Sequence, residues 1–301
     1  MTGICDGRVV IVTGAGRGLG RAHALAFAAE GAKVVVNDLG AELDGSGGSS
    51  GPAGEVVDTI RAAGGEAIAN GDDVADWAQA EHLISSTVAA FGAVDTLVLN
   101  AGIVRDRMVF GIAEDEWDAV TRVHLKGHAA PLRHAAAHWR EQSKAGRQPD
   151  ARVVMTSSGA GLLGSVGQGT YSAAKAGIVG LALVASAELR RFGVSVNAIA
   201  PSARTRMTEG VFESMTAVDD GFDAMDPANV SPLVVWLGSG QSGGVTGRVF
   251  ETEGGIIRVM DGWQRAAEVD KGARWDPAEL GAVIPDLIAE SPAPLPVYGA
   301  Q

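Results

Sequence analysis

The chain has 301 residues, of which 46% are hydrophobic and 20% charged, and its formal net charge is −12 at pH 7. A chain of this size can fill one large core or two modest ones. The acidic balance disfavours nucleic acid and anionic membrane surfaces as partners, because their phosphates demand a basic surface. Cys5 is the only cysteine, which excludes an intrachain disulfide and a cysteine-based metal site and favours a reducing compartment, the cytoplasm.

The N-terminal stretch MTGICDGRVVIVTG has no basic start, long apolar run or small-residue cleavage site, so we expect no signal peptide. The most apolar stretch, residues 176–189, still contains glycines, a serine and Glu188. We therefore expect no membrane span.

Short β-branched segments alternate with Ala-rich stretches of helical length. The predicted strands, in chain order, cover residues 8–13, 33–37, 66–70, 94–100, 152–158 and 194–200. Near-continuous apolar strands indicate a sheet covered on both faces, and strand–helix alternation indicates parallel order. The sequence predicts an α/β fold: a single doubly wound Rossmann-type domain, over residues 1–262, with a parallel sheet and helices on both faces.

Two segments depart from this alternation. Residues 39–54 form a Gly/Ser-rich insertion that we expect to lack regular structure. It is either a solvated surface loop or a flap over the adenosine end of a cofactor. Residues 263–301 form a C-terminal extension ending in SPAPLPVYGAQ, whose prolines oppose helix and sheet. A packed arm and a loose tail are both compatible with it.

The stretch VTGAGRGLG, residues 12–20, follows the first strand and opens the first helix. Its glycines permit a sharp turn close to a pyrophosphate, and the helix start attracts negative charge. Asp38 ends the second strand, where a carboxylate can bind the adenine ribose hydroxyls and repel a 2′-phosphate, which favours NAD over NADP. Arg17 favours NADP instead, because a cation there could contact the 2′-phosphate.

The stretch YSAAK places Tyr171 and Lys175 on one face of a predicted helix. A free tyrosine has a pKa of about 10, and lowering it by three units requires roughly 4 kcal/mol. Lys175 and the positive charge of an oxidised nicotinamide are suited to that task. Ser158 lies thirteen residues before Tyr171, at the end of the fifth strand, and could hydrogen-bond the reacting oxygen. The neighbouring Ser157 is the alternative hydroxyl.

Several motifs occur in a fixed order: TGAGRGLG with Gly14, Gly18 and Gly20, NAG at 100–102, Ser158, YSAAK at 171–175, NAIAP at 197–201 and VTGRVFETEGG. On these motifs the chain resembles the short-chain dehydrogenase/reductase family over roughly residues 6–262. The resemblance implies hydride transfer between a secondary alcohol and a nicotinamide cofactor. It also implies that Tyr171 takes the hydroxyl proton, that Ser158 steadies the alkoxide or carbonyl, and that Lys175 lowers the tyrosine pKa and binds the nicotinamide ribose.

The resemblance also implies a set of cofactor-binding residues on the glycine turn and after the strands. They are Gly14, Arg17, Gly18, Leu19, Gly20, Asp38, Asp73, Val74, Asn100, Ala101, Gly102, Tyr171, Lys175, Pro201 and Thr205. For Asn100 a purely structural role is an open alternative.

One position departs from the common family pattern. Where VNLKG would supply an asparagine that completes a proton relay, this chain has VHLKG with His124. Histidine bonds backbone groups and water and titrates near neutrality, so His124 is a candidate catalytic residue, with helix packing as the alternative. His124 with His128, and His134 with His138, have the spacing of metal ligands. No acid or cysteine completes either set, so we expect no metal site.

Within the family, the stretches NAGIVRDRMVF, VHLKGH and SARTRM resemble the (3R)-hydroxyacyl-CoA dehydrogenase part of peroxisomal multifunctional enzyme type 2. This implies NAD-dependent oxidation of a (3R)-hydroxyacyl-CoA to its 3-oxo form, in fatty-acyl or sterol side-chain breakdown, by a stand-alone dehydrogenase. The resemblance to the family implies a homodimer or homotetramer. The alternatives are a hydroxysteroid or other alcohol dehydrogenase or carbonyl reductase, and a non-enzymatic NAD-sensing or scaffolding protein. The cations near the expected cleft, which are either CoA-phosphate contacts or solvated side chains, are Arg105, Arg107, Arg204 and Arg206.

Overall fold

The computed structural model describes residues 3–41, 48, 51–204, 221–260 and 262–299. Its centre is an eight-stranded sheet in the order β3-β2-β1-β4-β5-β6-β7-β8. The strands are β1 (Val9–Thr13), β2 (Lys33–Asn37), β3 (Glu66–Asn70), β4 (Thr96–Leu99), β5 (Ala151–Thr156), β6 (Val194–Ser202), β7 (Val249–Glu253) and β8 (Ile256–Met260). All neighbouring pairs are parallel except β7 and β8. The predicted fold class is confirmed.

Helices cover both faces of this sheet. They are α1 (Gly18–Ala29), α2 (Gly51–Ala62), α3 (Trp77–Phe91), α4 (Glu114–Thr121), α5 (Gly127–Lys144), α6 (Gly159–Leu163), α7 (Gly169–Leu189), α8 (Ser231–Gly238) and α9 (Leu280–Glu290). Val10 and Val12 pack into one buried cluster with α1, α2 and α8, while Ile11 joins the opposite cluster with α3, α5 and α7. Alternate residues of one strand therefore serve both layers, as a doubly wound sheet requires.

The six predicted strands form within two residues of their expected bounds, and the sheet adds two more strands at one edge. Strand β7 (VFETE) mixes acidic and apolar residues, and all five residues of β8 are exposed or half-buried. Neither has the continuous apolar run that marks a strand buried on both faces. Strands β7 and β8 were therefore not predictable from an apolar pattern.

The Gly/Ser-rich insertion is shorter than expected. Helix α2 begins at Gly51, so residues 51–54 are helical rather than irregular. Pro52 lies in its first turn, where a missing N–H costs nothing because that N–H has no partner inside the helix. The remainder of the stretch falls largely outside the described residues.

The C-terminal extension contains the short helix α9, preceded by a 3-10 turn over Pro277–Glu279. Near its end, Tyr298 forms an isolated bridge with Ser165. The extension thus returns to the main domain on the side where α6 and α7 begin.

One helix in the described part of the chain, over Gly169–Phe192, is long and apolar enough to cross a membrane by length and composition alone. Core helices of globular proteins pass the same test, so this is weak evidence. The helix packs against β6 in the core of the fold.

Candidate active site

A cleft of about 290 Å³ opens along the carboxyl edge of the sheet. It brings together the predicted residues Gly14, Arg17, Gly18, Leu19, Asp38, Asp73, Val74, Asn100, Ala101, Gly102, His124, Ser158, Tyr171, Lys175 and Pro201. Sequence reasoning missed further lining residues: Asn37, Leu39, Ala41, Asp72, Ile103, Arg122, Val123, Thr156 and Ala203. Many of these directly end or follow strands, so the carboxyl-edge rule could have found them. Thr205 and Arg206 lie outside the described residues.

The glycine turn is tight enough to exclude side chains. Gly14 and Gly18 have φ angles of +62° and +52°, and a Cβ on Gly14 would lie 2.8 Å from the Cα of Ala101. Gly20 is not among the residues that line the cleft; its Cβ would meet the carbonyl oxygen of Gly14 at 2.1 Å. Gly20 therefore lets α1 pack under the turn, whose shape suits a pyrophosphate at a helix start.

The carboxylate of Asp38 is held at the end of β2 by two backbone donors. The amides of Gly16 and Gly40 donate to its two oxygens, each at 2.7 Å. Each carboxylate oxygen can accept a further hydrogen bond. Asp38 can therefore still receive the hydroxyls of a ribose, and its position is fixed before any ligand binds.

Asp73 already has partners on the chain. The guanidinium of Arg122 lies 2.6 Å from one of its oxygens, and the amide of Ala75 donates to the other at 2.9 Å. Asp73 therefore connects Arg122, which lines the cleft, to the turn after β3. The sequence analysis did not anticipate this structural role.

Asn100 connects β4 to the glycine turn. Its side-chain amide donates to the carbonyls of Thr13 at 3.1 Å and Gly14 at 3.3 Å. Its backbone amide donates to the Thr13 hydroxyl at 2.9 Å. The structural role considered for Asn100 is therefore present, beside its position on the cleft.

The two serines after β5 have separate roles. Ser157 is buried and its hydroxyl donates to the carbonyl of Lys175 at 2.9 Å. Ser158 caps α6 by accepting from the Ala160 amide at 3.2 Å, and its side chain also lowers the pKa of the Tyr171 phenol. Ser158 is thus the serine that acts on the tyrosine.

Tyr171 lies in the first turn of α7 and faces Ser158. Burial raises the pKa of its phenol, the hydrogen bond with Ser158 lowers it, and the carboxylate of Asp106 raises it. The net rise is opposite to the lowering that the family resemblance implies, because burial disfavours the phenolate. The phenol is therefore neutral at neutral pH and carries a proton that it can donate.

Lys175 lies one turn further along α7, fully buried. Its Nζ is 5.5 Å from the centroid of the Tyr171 ring and donates to the carbonyl of Thr156 at 2.7 Å. Burial lowers the pKa of Lys175 to about 7. The lysine can thus exchange a proton near neutral pH, next to the phenol.

His124 sits in a π-helical turn, Arg122–Lys126, between α4 and α5. Its Nε2 lies 2.7 Å from the carbonyl oxygen of Ile103 and 3.1 Å from the Ile103 amide nitrogen. A Cβ on Gly102 would lie 2.4 Å from the ring, so glycine is required there. Burial and the nearby Lys175 charge hold the pKa of His124 well below its usual range. The imidazole is therefore neutral, and it serves as a hydrogen-bonding group rather than a cation.

The remaining histidines of α5 do not assemble a metal site in the part of the chain described. No group of three His, Cys, Asp or Glu side chains there could hold a metal ion. His128 is buried, with a pKa lowered by burial to about 3. His134 instead packs edge-on against Trp77, with ring centroids 5.4 Å apart.

Comparison with known proteins identifies the family. The short chain dehydrogenase model matches residues 8–216. The chain is 44% identical over 293 residues to hydroxyacyl-CoA dehydrogenase ChsB1 of Mycobacterium tuberculosis, covering 94% of this chain and 89% of that protein. It is 43% identical to peroxisomal multifunctional enzyme type 2 of Mus musculus, covering 93% of this chain but only 34% of that enzyme.

A solved structure is similar throughout. The crystal structure of a short chain dehydrogenase from Mycobacterium avium superposes with a TM-score of 0.90 at 65% identity, covering 99% of this chain and 100% of that one. The chain belongs to the short-chain dehydrogenase family, and it is an oxidoreductase that acts on hydroxyl groups with a nicotinamide cofactor. The resemblance noted in the sequence is confirmed.

Proposed function

We propose that this protein oxidises a (3R)-hydroxyacyl-CoA to its 3-oxo form with NAD. The observation that carries the chemistry is that Ser158, Tyr171 and buried Lys175 line the same cleft as the glycine turn, with the Lys175 Nζ 5.5 Å from the Tyr171 ring centroid. The substrate class is supported by the names of its relatives, one a hydroxyacyl-CoA dehydrogenase and one a peroxisomal multifunctional enzyme.

The cleft fits a dinucleotide. The glycine turn leaves no room for Cβ atoms where a pyrophosphate would approach, and Asp38 is fixed at the ribose end. The Asp38 carboxylate supports NAD rather than NADP, because it would repel a 2′-phosphate. When bound, oxidised nicotinamide supplies the hydride acceptor and a positive charge.

Four residues of the cleft have separate roles in binding the substrate oxygen and in transferring its proton. Ser158 donates a hydrogen bond to the substrate oxygen. The Tyr171 phenol first releases its own proton towards solvent, and the resulting phenolate oxygen accepts the substrate hydroxyl proton as the carbonyl forms. Because burial opposes the phenolate, this step needs positive charge nearby. Protonated Lys175 supplies part of it and can pass a proton towards solvent. We propose that His124 orients the segment at Ile103 beside this relay, in place of the usual asparagine.

Helix α7 has an exposed apolar face that could contact a second subunit. The face of α7 away from the sheet exposes Leu183 and Val184, which are 45% and 55% accessible, and we propose that it pairs in a homodimer or homotetramer. The cytoplasm is the proposed location. A CoA-phosphate role for Arg107 and Arg204 gains little support, because Arg107 pairs with Glu116 and Arg204 pairs with Asp223.

The test is a substrate panel monitored by NADH absorbance. Purified protein is given NAD or NADP with (3R)- and (3S)-hydroxyacyl-CoAs and with steroid alcohols, and Tyr171→Phe is run alongside. We expect NADH only from the (3R) thioesters, and none with the variant, which should still bind NAD. Turnover of steroid alcohols alone would replace the proposed substrate. NAD binding without any turnover would favour a sensing protein.

A further inference from the structure

The last described residues of the chain, 295–299 (the C-terminal arm), pack on the segment 159–168. The amide of Val166 donates to the carbonyl of Tyr298 at 2.9 Å, and the amide of Tyr298 donates to the carbonyl of Gly164 at 3.2 Å. This segment joins the two catalytic hydroxyls, so the arm borders the place where the substrate reacts.

The ring of Tyr298 lies directly on the backbone next to the catalytic serine. A Cβ on Gly159 would be 2.8 Å from the Tyr298 hydroxyl oxygen and 2.9 Å from a ring carbon. The hydroxyl donates to Glu251 at 3.2 Å, and Glu251 also accepts from Arg258 at 3.0 Å. The tyrosine is therefore placed by two elements, the α6 start below it and the β7–β8 hairpin beside it.

A short 3-10 turn, Val109–Gly111, lies against the end of the same segment, where Arg107 forms an isolated bridge with Gln168. The Cγ2 of Val109 would be 3.3 Å from a Cβ on Gly169, and the sulfur of Met108 would be 3.9 Å from one on Gly167. Phe110, at the middle of the turn, is 90% exposed. The turn thus abuts the start of the helix that carries Tyr171.

Both flanks present apolar side chains to solvent. The exposed apolar residues of this rim are Met108, Val109, Phe110, Val166, Leu295 and Val297. Apolar surface concentrated beside a catalytic cleft is a mark of a ligand-binding surface. The segment that the rim borders is the one that joins Ser158 to Tyr171 along the chain.

We propose that the C-terminal arm and the 3-10 turn form an apolar wall for the part of the substrate beyond the reacting carbon, with Tyr298 as a specificity-determining residue. The proposal rests on the proposed function in one respect: it takes the reacting oxygen to lie at Ser158 and Tyr171. It names the substrate class as a secondary alcohol with a long or bulky apolar tail.

The test compares chain-length preference in Tyr298→Ala, Tyr298→Phe and wild type. The measured quantity is the ratio of kcat/KM for 3-hydroxypalmitoyl-CoA to that for 3-hydroxybutyryl-CoA. Loss of the ring should lower this ratio about tenfold, mainly through KM for the long substrate, because covering an exposed aromatic ring with an apolar tail is worth about that much. Tyr298→Phe keeps the ring and should retain most of the wild-type ratio.

Ile288→Ala is the matched control, because Ile288 is an apolar residue of the same extension, 68% exposed on α9. It should leave the ratio as in wild type. An unchanged ratio in Tyr298→Ala, or an equal fall in Ile288→Ala, would overturn the proposal. Thermal unfolding and NADH affinity of each variant separate this effect from a general loss of structure.

The same comparison is made with 2-butanol and 2-decanol, so that the two hypotheses can fail separately. If wild type turns over no acyl-CoA, the proposed function is wrong. The ratio of kcat/KM for 2-decanol to that for 2-butanol then tests whether the apolar wall binds the substrate tail. If Tyr298→Ala does not change this ratio, the apolar wall is wrong whatever the outcome with acyl-CoA.

Discussion

His124 packs edge-on against Tyr171, with ring centroids 5.2 Å apart and an interplanar angle of 89°. The same histidine bonds the backbone of Ile103 through Nε2. One side chain therefore connects the loop after β4 to Tyr171, at the position where the common family pattern has asparagine.

Replacing His124 should separate hydrogen bonding from packing. His124→Asn retains a group that can bond the Ile103 carbonyl, and we expect kcat to stay within about tenfold of wild type. His124→Leu leaves that buried carbonyl unpaired, which costs about 1–3 kcal/mol of stability, and should lower kcat about a hundredfold. Steady-state kinetics and thermal unfolding measure both effects. A kcat equal to that of wild type in His124→Leu would show that His124 has no role in catalysis.

The lowered pKa of Lys175 predicts a pH-dependent contribution to stability. Its folded-state pKa is about 7, below the ordinary value of 10.5, so the unfolded chain binds more protons between these values. The cost of burying the ammonium is therefore full below about pH 7 and declines as the pH rises towards 10.

Lys175→Met provides the comparison, because it keeps the length of the side chain without its charge. Wild type should gain about 2–4 kcal/mol of unfolding free energy relative to the variant between about pH 7 and pH 10. Denaturant unfolding at several pH values measures this difference. A difference that does not change with pH would show that Lys175 has an ordinary pKa.

Asp38 should control the choice of cofactor. Asp38→Asn keeps an acceptor for a backbone amide and removes the charge that would repel a 2′-phosphate. We expect the ratio of kcat/KM with NADP to that with NAD to rise at least about tenfold, a change of about 1.4 kcal/mol. Asp118→Asn makes the same charge change on exposed α4 and serves as the control. An equal ratio in both variants would assign the preference to another residue.

The exposed apolar face of α7 should hold subunits together. Leu183→Glu combined with Val184→Glu places two charges where a close helix contact would be buried, and we expect the oligomer to dissociate at micromolar concentration. Light scattering coupled to size-exclusion chromatography measures the mass. Val269→Glu alters an exposed apolar residue outside α7 and should not change it. An unchanged oligomer mass in the double variant would show that the subunit interface does not include this face of α7.

The sequence predicts those parts of the molecule that follow from local pattern. The strands ending at Thr13, Asn37 and Thr156 have uninterrupted or nearly uninterrupted apolar residues, so their type and order were evident. Since parallel strands align their carboxyl ends, the residues that follow them were bound to share a cleft.

Contacts between residues far apart in the chain were not predictable in this way. The Arg122–Asp73 pair, the Ile103–His124 bond and the packing of Tyr298 on Gly159 depend on where separate loops meet. The pKa of Tyr171 likewise depends on its burial by the folded chain. No spacing rule in the sequence encodes these features.

The most direct test of the account is transfer of an isotope from substrate to cofactor. The enzyme is given NAD and a (3R)-hydroxyacyl-CoA that carries deuterium on C3, and the reduced cofactor is analysed by mass spectrometry. We expect deuterium in the NADH, a slowed rate, no transfer from the (3S) isomer and none in Tyr171→Phe. Deuterium-free NADH, or equal transfer from both isomers, would contradict this expectation.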